Sequence, residues 1–472
     1  MIASQPTYLF YDLETTGLNP CFDQVLQFGA IRTDLDLNEI DRHEIKVKLN
    51  PDIIPSAHAI LTHRIGWQDM QQGMNEYEAI QLIHQHLNHP GTISVGYNTL
   101  GFDDEFLRFN FFRNLLPPYT HQYANYCSRM DILPITLIFY LYNQDIIKWP
   151  IQDNKVSLKL ENLNKYNNFA TGMSHDAIVD VEATIALARK LKTNTKMWNY
   201  LTDFFDKQTD VMRQEQLSCG LQTTTRTLPQ ALLTNLKFGQ ANGYQIPALG
   251  LGQHQHYKNQ TLWLRLDDDK LQQSSITEFI DTTYVVRKKT AEAPILLPTK
   301  DRFMQKLKPE RLKTMQGNIK WLNDNQDILT AIQQHYLQET YDIVENIDTD
   351  AQLYQLGFPS RQEEALFKKF HQSPHEKKWL IAQQFPNKVR IQHAMRILAR
   401  NHSEHLPESY QDEFNQQRHA NKKDYRSRTK YNMQQAIKDI NTLENTNLDN
   451  EQAKLLSKYK QEINKLTAST NQ

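Results

Sequence analysis

Only three cysteines occur in 472 residues, Cys21, Cys127 and Cys219, odd in number and far apart. That argues against a disulfide framework and against a cysteine-ligated zinc site, and it points to a reducing cytoplasm. No run of 18 or more apolar residues is present, so neither a membrane span nor a membrane partner is expected. The opening MIASQPTYLF has no charged stretch followed by an apolar core and does not read as a signal peptide. An excess of one charge is also missing: 53 Lys and Arg stand against 54 Asp and Glu. Such a chain offers a polyanion no general attraction, so nucleic acid would have to be held by local patches or a groove. The apolar fraction is 39% and the mean hydropathy −0.66, in a length sufficient for about two to four domains.

Among what is there, the stretch TYLFYDLETTGLNP, residues 7–20, stands out. Tyr8, Leu9, Phe10 and Tyr11 read as a buried strand, and side chains two apart on a strand share a face. Asp12 and Glu14 therefore point the same way in apolar surroundings, where they repel each other and lose hydration. Something must compensate them.

Residues 1–197 read as an α/β unit. TYLFYDLE, VLQFGAIRTD and HEIKVKL predict three strands in a meander, EYEAIQLIHQHLN a helix and TISVGYN a further strand. DDEFLRFNFFRNLL and MDILPITLIFYLY are helical in pattern, with Pro134 in a first turn or at a kink. SHDAIVDVEATIALARKLK is the clearest helix, with Ser174 as N-cap and an apolar stripe through Ile178, Val181, Ile185, Leu187 and Ala188. Residues 198–349 show short strand-like pieces punctuated by Gly and Pro, a small β-rich segment that turns helical after about residue 304. Residues 350–472 are polar, charged and helix-prone.

Three segments of the first unit carry acids in suggestive places: Asp12-x-Glu14, then Asp103 and Asp104 in GYNTLGFDDEFLR, then His175 and Asp180 in SHDAIVDVEAT. Four carboxylates converging on one pocket are what a pair of divalent cations needs. Mg²⁺ prefers hard oxygen ligands, and two ions roughly 3.5–4 Å apart can stabilise both the attacking and the leaving oxygen of a phosphoryl displacement.

Asp12-x-Glu14, an Asp following GYN, and His175 five residues before Asp180 resemble the three exonuclease motifs of the DEDD superfamily, in its His-containing branch. Within that branch the chain is similar to bacterial single-strand-specific DNA exonucleases, through GYNTLGFDDE, YCSRMDIL, SLKLENL and DAQLY, over essentially its whole length. The resemblance implies a ribonuclease H-like exonuclease domain (1–197) with a mixed sheet, an SH3-like accessory domain (198–349) and a helical C-terminal domain (350–472). It implies a processive 3′-to-5′ exonuclease that releases 5′-mononucleotides from single-stranded DNA and serves repair and recombination. Asp12, Glu14, Asp103 and Asp180 would hold two Mg²⁺ ions, with Mn²⁺ as a substitute and Asp12 between the two. His175 would be the general base, a task suited to an imidazole of pKa near ~6.5. Glu14, Lys159, Arg108, Tyr119 and Tyr123 match positions that meet the substrate. The partners implied are single-stranded DNA and the acidic C-terminal tail of single-stranded-DNA-binding protein, for a monomer in the cytoplasm. Two departures stand out: Leu13 replaces an aromatic after the first Asp, and Lys159 replaces an Arg, a point charge instead of a fork.

Each residue also has a plainer use. Asp103 could be a helix N-cap, with Asp104 the competing ligand. Asp176 and Glu182 read as solvated helix acids, Cys127 as packing, and Phe109, Phe111 and Phe112 as helix core beside the stacking candidates Tyr119 and Tyr123. Two basic runs, 301–320 and 418–432, each hold six Lys and Arg. By default they are solvated helix faces, otherwise a DNA channel wall or a seat for an acidic peptide. Two rival functions remain open: an RNA-directed exonuclease of the same superfamily, and a non-catalytic single-stranded-DNA-binding module.

Overall fold

The computed structural model describes residues 5–173, 175–223, 226–418 and 420–470, and the chain packs into two units. The first gathers residues 1–129, 159–187 and 343–472, and the second gathers 130–158 and 188–342.

In the first unit β1 (Thr7–Thr15), β2 (Val25–Thr33), β3 (Glu39–Lys46), β4 (Thr92–Gly96) and β5 (Ser128–Asp131) form one sheet in the order β3-β2-β1-β4-β5. The expected meander β1-β2-β3 is antiparallel, whereas β1 runs parallel to β4, which makes the sheet mixed, as the α/β reading required. Alternation along β1 sends Leu9, Tyr11 and Leu13 into a core with Phe28, Ile80 and Phe106, beneath helices Glu76–Leu87 and Asp103–Arg113. Asp12 and Glu14 consequently lie on the other face. Phe109, Phe111 and Phe112 are fully buried, so all three are core.

Helix Ala177–Lys192 begins against that second face. Gly29 pairs with Asp12 across β1 and β2, and a Cβ at Gly29 would lie 2.7 Å from the Ala177 carbonyl carbon. Only glycine lets the helix start come this close to the acids. The expected cap, Ser174, lies outside the described residues. Asp176 caps instead, its Oδ1 accepting from the Ile178 N–H at 3.1 Å, and Glu182 ion-pairs with Arg42 at 2.5 Å. Neither acid is merely solvated: Asp176 caps its own helix, and Glu182 meets an arginine 140 residues away in sequence. Pro134 falls in the first turn of helix Ile132–Tyr142, where its missing N–H costs nothing.

The C-terminal segment is helical as expected but belongs to the first unit, tied in by buried charge. Asp52 receives Arg400 (2.8 Å) and Lys430 (3.4 Å), and Asp350 receives Arg396 and Arg400 (both 2.9 Å). Lys422 reaches Asp348 at 3.7 Å, and the Tyr425 hydroxyl donates to Glu105 Oε1 at 2.6 Å. Lys422 and Lys430 of the basic run 418–432 thus belong to a buried structural network, whereas Lys423 and Arg426 are exposed.

The second unit is built on an antiparallel sheet of β8 (Cys219–Gln222), β9 (Thr227–Thr234), β10 (Gln245–Gln253), β11 (Gln260–Arg265), β12 (Val285–Lys289) and β13 (Ile295–Pro298), in the order β12-β11-β10-β9-β13 with β8 on β9. This is the β-rich, SH3-like element expected. Helices Pro309–Asp324 and Gln326–Gln338 bury Met315, Leu322, Leu329 and Ile332 against it. In the run 301–320, Arg311 reaches Asp267 (2.5 Å) and the carbonyls of Asn242 and Gln245, a structural pairing. Residues 130–158, counted above with the exonuclease segment, pack here. β6 (Ile151–Gln152) and β7 (Lys155–Val156) form a small hairpin, and helix Ile132–Tyr142 is apolar nearly all round. Leu137 and Leu158 meet Tyr244 in its core, and Gln245 Nε2 donates to the Tyr142 hydroxyl at 2.5 Å.

Three outcomes follow. Arg400→Leu leaves Asp52 and Asp350 buried without their shared partner and should cost about 3–5 kcal/mol in chemical denaturation, whereas Arg426→Ala, at an exposed pair with Glu105, should change stability little. Gly29→Ala should destabilise by about 1–3 kcal/mol through overpacking, and it should lower metal affinity because the helix start carries Asp180. Burial pushes the pKa of His84 and His371 down to about 4 and that of His393 to about 3. Because the folded values lie below the unfolded ~6.5, this contribution is complete above pH ~6.5 and is lost as the pH falls toward the folded values. His393→Asn should accordingly flatten this part of the profile, read as a Tm difference from wild type that shifts in the variant's favour between about pH 6.5 and about pH 4.

Candidate metal-dependent active site

The turn after β1 is braced so that Glu14 has little freedom. Thr16 Oγ1 donates to Asp23 Oδ1 at 3.0 Å, the Asn19 N–H donates to Asp23 Oδ2 at 2.7 Å, and Thr15 Oγ1 donates to the Gly17 carbonyl at 2.8 Å. Asp103 is the first residue of its helix, not its cap, a place taken by Phe102. Asp180 lies in the first turn of Ala177–Lys192. His175, just ahead of that helix, adopts a left-handed backbone (φ 66°), and its N–H donates to Asp180 Oδ2 at 3.1 Å.

Asp12, Glu14, Asp103 and Asp180 act on one another as like charges. Burial, then Asp103, Glu14 and Asp180, hold the Asp12 carboxyl well above the usual carboxylate range. Burial, then Asp180 and Asp103, push Glu14 up to about 9. Burial raises Asp180 to about 6 against the opposing pull of His175. Asp176 adds to the repulsion at all three. Donor atoms of Glu14, His175 and Asp180 lie within 4.8 Å of one another, and Asp180 Oδ1 is buried without a hydrogen-bond partner. Crowded carboxylate oxygens, one of them orphaned at Asp180, with an imidazole beside them, fit a divalent cation of the Mg²⁺ or Mn²⁺ kind.

Asp104 is different. It takes ion pairs from Arg108 and from Arg129 at 2.6 Å, and a hydrogen bond with His121 Nε2 at 2.8 Å. Burial opposes ionisation there, but these partners outweigh it and hold the carboxyl well below its usual range. Of the two adjacent acids, the structure brings Asp103 to the cluster and gives Asp104 to the scaffold. Arg108 is buried on Asp104, with its guanidinium 5.7 Å from the Tyr119 ring, so it is brought to a structural pair and not to an open surface. Tyr119 is half-buried against Phe358, Tyr123 is exposed, and the Lys159 side chain is exposed with its Nζ 3.4 Å from Glu161.

Sequence reasoning missed Glu161 and His63. Glu161 Oε2 lies 3.0 Å from His175 Nε2, and only its place in SLKLENL could have marked it. His63 is buried, and burial together with nearby His175 pushes its pKa down to about 4. A cavity of about 740 Å³ opens beside His175 and Glu161, lined by His58 and Arg64 and, from the C-terminal segment, by Leu443 and Gln452. Arg64 is fixed there by Asp449 at 2.6 Å and by Glu451. No periodicity links residues so far apart in the chain. Among the described residues no helix is long and apolar enough to cross a membrane.

Residues 9–188 match the RNase T family of exonucleases. Exodeoxyribonuclease I of Escherichia coli K12 is 38% identical over 201 residues, 42% of each chain, and that of Haemophilus influenzae is 34% identical over 206 residues, 43% of each. In sequence the chain thus spans about two fifths of the length of the curated relatives it matches. In three dimensions the likeness reaches further. Escherichia coli exonuclease I in complex with a dA16 oligonucleotide superposes with a TM-score of 0.82 at 26% identity, covering 98% of this chain and 100% of that one. In sequence over its first two fifths, and in three dimensions over nearly its whole length, the chain is similar to exodeoxyribonuclease I.

Proposed function

We propose that the chain is a Mg²⁺-dependent 3′-to-5′ exonuclease that degrades single-stranded DNA processively to 5′-mononucleotides in repair and recombination. It would act as a cytoplasmic monomer that also docks the acidic tail of single-stranded-DNA-binding protein. The observation that carries the reading is the convergence of Asp12, Glu14, Asp103 and Asp180, whose like charges oppose one another beside His175. The Escherichia coli relative with this fold was solved with a dA16 oligonucleotide, which supports single-stranded DNA as substrate. The segments 1–197, 198–349 and 350–472 serve here as exonuclease, SH3-like and helical parts of the chain, although packing groups them otherwise.

The four carboxylates would hold two Mg²⁺ ions, which supply Lewis acidity and stabilise charge at the phosphodiester. The remaining work falls to the chain. With the Glu161 carboxylate accepting at Nε2, that nitrogen carries the hydrogen, and Nδ1 is left with the lone pair that takes the proton of the attacking water. Asp180 fixes the ring's position through the His175 N–H. Lys159 meets substrate phosphate, Glu14 the terminal nucleotide, and Tyr119 and Tyr123 offer stacking surfaces worth on the order of 1–3 kcal/mol per base. Arg108 serves this path indirectly, by holding Asp104 and flanking Tyr119.

Wild type with Mg²⁺ should release labelled mononucleotide at once from a 3′-labelled single strand and only late from a 5′-labelled one, with duplex and RNA degraded poorly. Equal attack on RNA would favour the RNA-directed reading, and binding without cleavage would favour a binding module. Asp12→Asn should reduce the rate by ~10³-fold or more, since metal stabilisation supplies several kcal/mol of the barrier. The same variant should raise Tm in chelator, because one repelling charge is gone, and abolish the Tm gain on adding Mg²⁺. His175→Ala should cost about 10²–10⁴-fold, and Glu161→Gln on the order of 10-fold, as expected for a residue that orients the base.

A further inference from the structure

The first unit contains a second cluster of metal-ligating side chains, which the exonuclease reading leaves unused. Glu78, His375 and His402 bring one donor atom each within 4.8 Å of the others. Glu78 stands in the first turn of helix Glu76–Leu87, His375 opens helix His375–Ala382, and His402 follows helix Lys388–Asn401. The two imidazoles lie close together, ring centroids 3.7 Å apart and planes inclined by 32°, with the His405 ring centroid 6.2 Å from that of His375.

The hydrogen bonding of the nearby histidines separates structural rings from candidate ligands. His371 is satisfied at both nitrogens, by the Tyr77 hydroxyl at 2.8 Å and the Leu115 carbonyl at 3.0 Å, and is plainly structural. His402, only 8% exposed, has a buried Nε2 with no partner, and His375 has a buried Nδ1 with none. Leaving such a group unpaired costs about 1–3 kcal/mol, and here two occur side by side next to a carboxylate. The frame around them is firm: the Tyr77 N–H donates to Asn401 Oδ1 at 3.2 Å, and Lys378 Nζ donates to the Phe370 carbonyl at 2.6 Å.

We infer that Glu78, His375 and His402 form a binding site for a transition-metal ion of the Zn²⁺ type, distinct from the carboxylate cluster. The donors decide the class of ion. Two imidazoles and one carboxylate suit Zn²⁺ at bonds of about 2.0–2.2 Å, with a water completing the tetrahedron, whereas Mg²⁺ prefers an all-oxygen shell. The His402 Nε2 that lacks a hydrogen-bond partner is the donor this ring would offer. Glu78 and Glu404 supply negative charge beside it. The ion's role would be that of a clasp. Its ligands come from a helix of the exonuclease segment and from C-terminal helices, chain regions whose Tyr77–Asn401 contact already joins residues 324 positions apart. A metal bound there stabilises the folded chain, since the unfolded chain lacks the preformed site. The plain alternative is a pair of stacked histidines with no ion, like His43 and His86 at 3.9 Å.

The test uses full-length protein in which Asp12→Asn and Asp180→Asn silence the carboxylate cluster. After treatment with chelator and its removal, ZnCl₂ is titrated in competition with a chromophoric chelator, and Tm is recorded with and without zinc. The expected result is about one equivalent of bound Zn²⁺ and a Tm higher by a few degrees, both unaffected by millimolar Mg²⁺. Adding His375→Gln or Glu78→Gln, at positions less buried than His402, should weaken zinc binding by roughly 10-fold or more and erase the Tm gain. The Tm without metal should stay at the parent value, showing that the fold is intact. In an otherwise wild-type chain, His375→Gln should leave Mg²⁺-dependent nuclease activity unchanged. Absence of bound zinc in the silenced parent, or equal affinity after His375→Gln and after Glu78→Gln, overturns the assignment.

Discussion

Electrostatic repulsion among buried carboxylates is the constraint around which the first unit is organised. Asp12 and Glu14 project from one face of β1, and Asp103 and Asp180 add charge to the same place. Folding must hold these groups together against their mutual repulsion and lost hydration. Rigidity around the cluster is the observable consequence. The Thr15–Asp23 turn is cross-bonded, Gly29 admits the start of the Asp180 helix, and Asp180 Oδ2 is anchored on the His175 backbone. A site that had to assemble these anions on binding metal would lose affinity to the cost of ordering them. One already assembled meets that cost in folding and is complementary to cations beforehand.

Comparison with the other buried acids shows that their treatment is selective. Asp104 is adjacent in sequence to Asp103 and also buried, yet Arg108 and Arg129 neutralise it and His121 hydrogen-bonds to it. Asp52, Asp348 and Asp350 are likewise matched by Arg396, Arg400 and Lys430. On Asp104, Asp52, Asp348 and Asp350 a fixed cation sits and the pKa falls, whereas burial raises scaffold Asp23, which is held by Thr16 and the Asn19 N–H. At Asp12, Glu14 and Asp180 neighbouring carboxylates add to burial and the pKa rises. What marks the site is therefore the mutual repulsion of its carboxylates, since burial is common to both groups.

The same distinction explains what could be read from the sequence. Asp12-x-Glu14 was legible because strand alternation is local: Leu9, Tyr11 and Leu13 had to go to the core, so the acids had to leave it. His175 and Asp180 were legible because their spacing fixes both at the start of one helix. Asp103 and Asp104 could not be told apart, since the arginines that claim Asp104 lie 4 and 25 residues away and their approach depends on tertiary packing. Glu161, Arg64 and the C-terminal wall of the cavity were invisible for the same reason. The basic run 418–432 was misread because composition reports charge but not burial; Lys422 and Lys430 are each less than a tenth exposed. Residues 130–158 were placed by sequence continuity, whereas the apolar helix Ile132–Tyr142 packs where Tyr244 and Gln245 receive it.

The dependence of the site on distant chain bears on why the polypeptide continues so far beyond its acids. Leu443 and Gln452 line the cavity beside His175, and Arg64, on the same wall, is held by Asp449 and Glu451. The Asp52–Arg400–Asp350 network lies between the sheet's own segment and the C-terminal helices, and removing any one member strands an opposite charge in the interior. Buried ion pairs add little net stability compared with apolar packing, but they penalise any misplacement steeply. That property suits a segment whose task is to set the shape of a catalytic wall, and it makes the C-terminal helices part of the site's construction instead of an appendage to it.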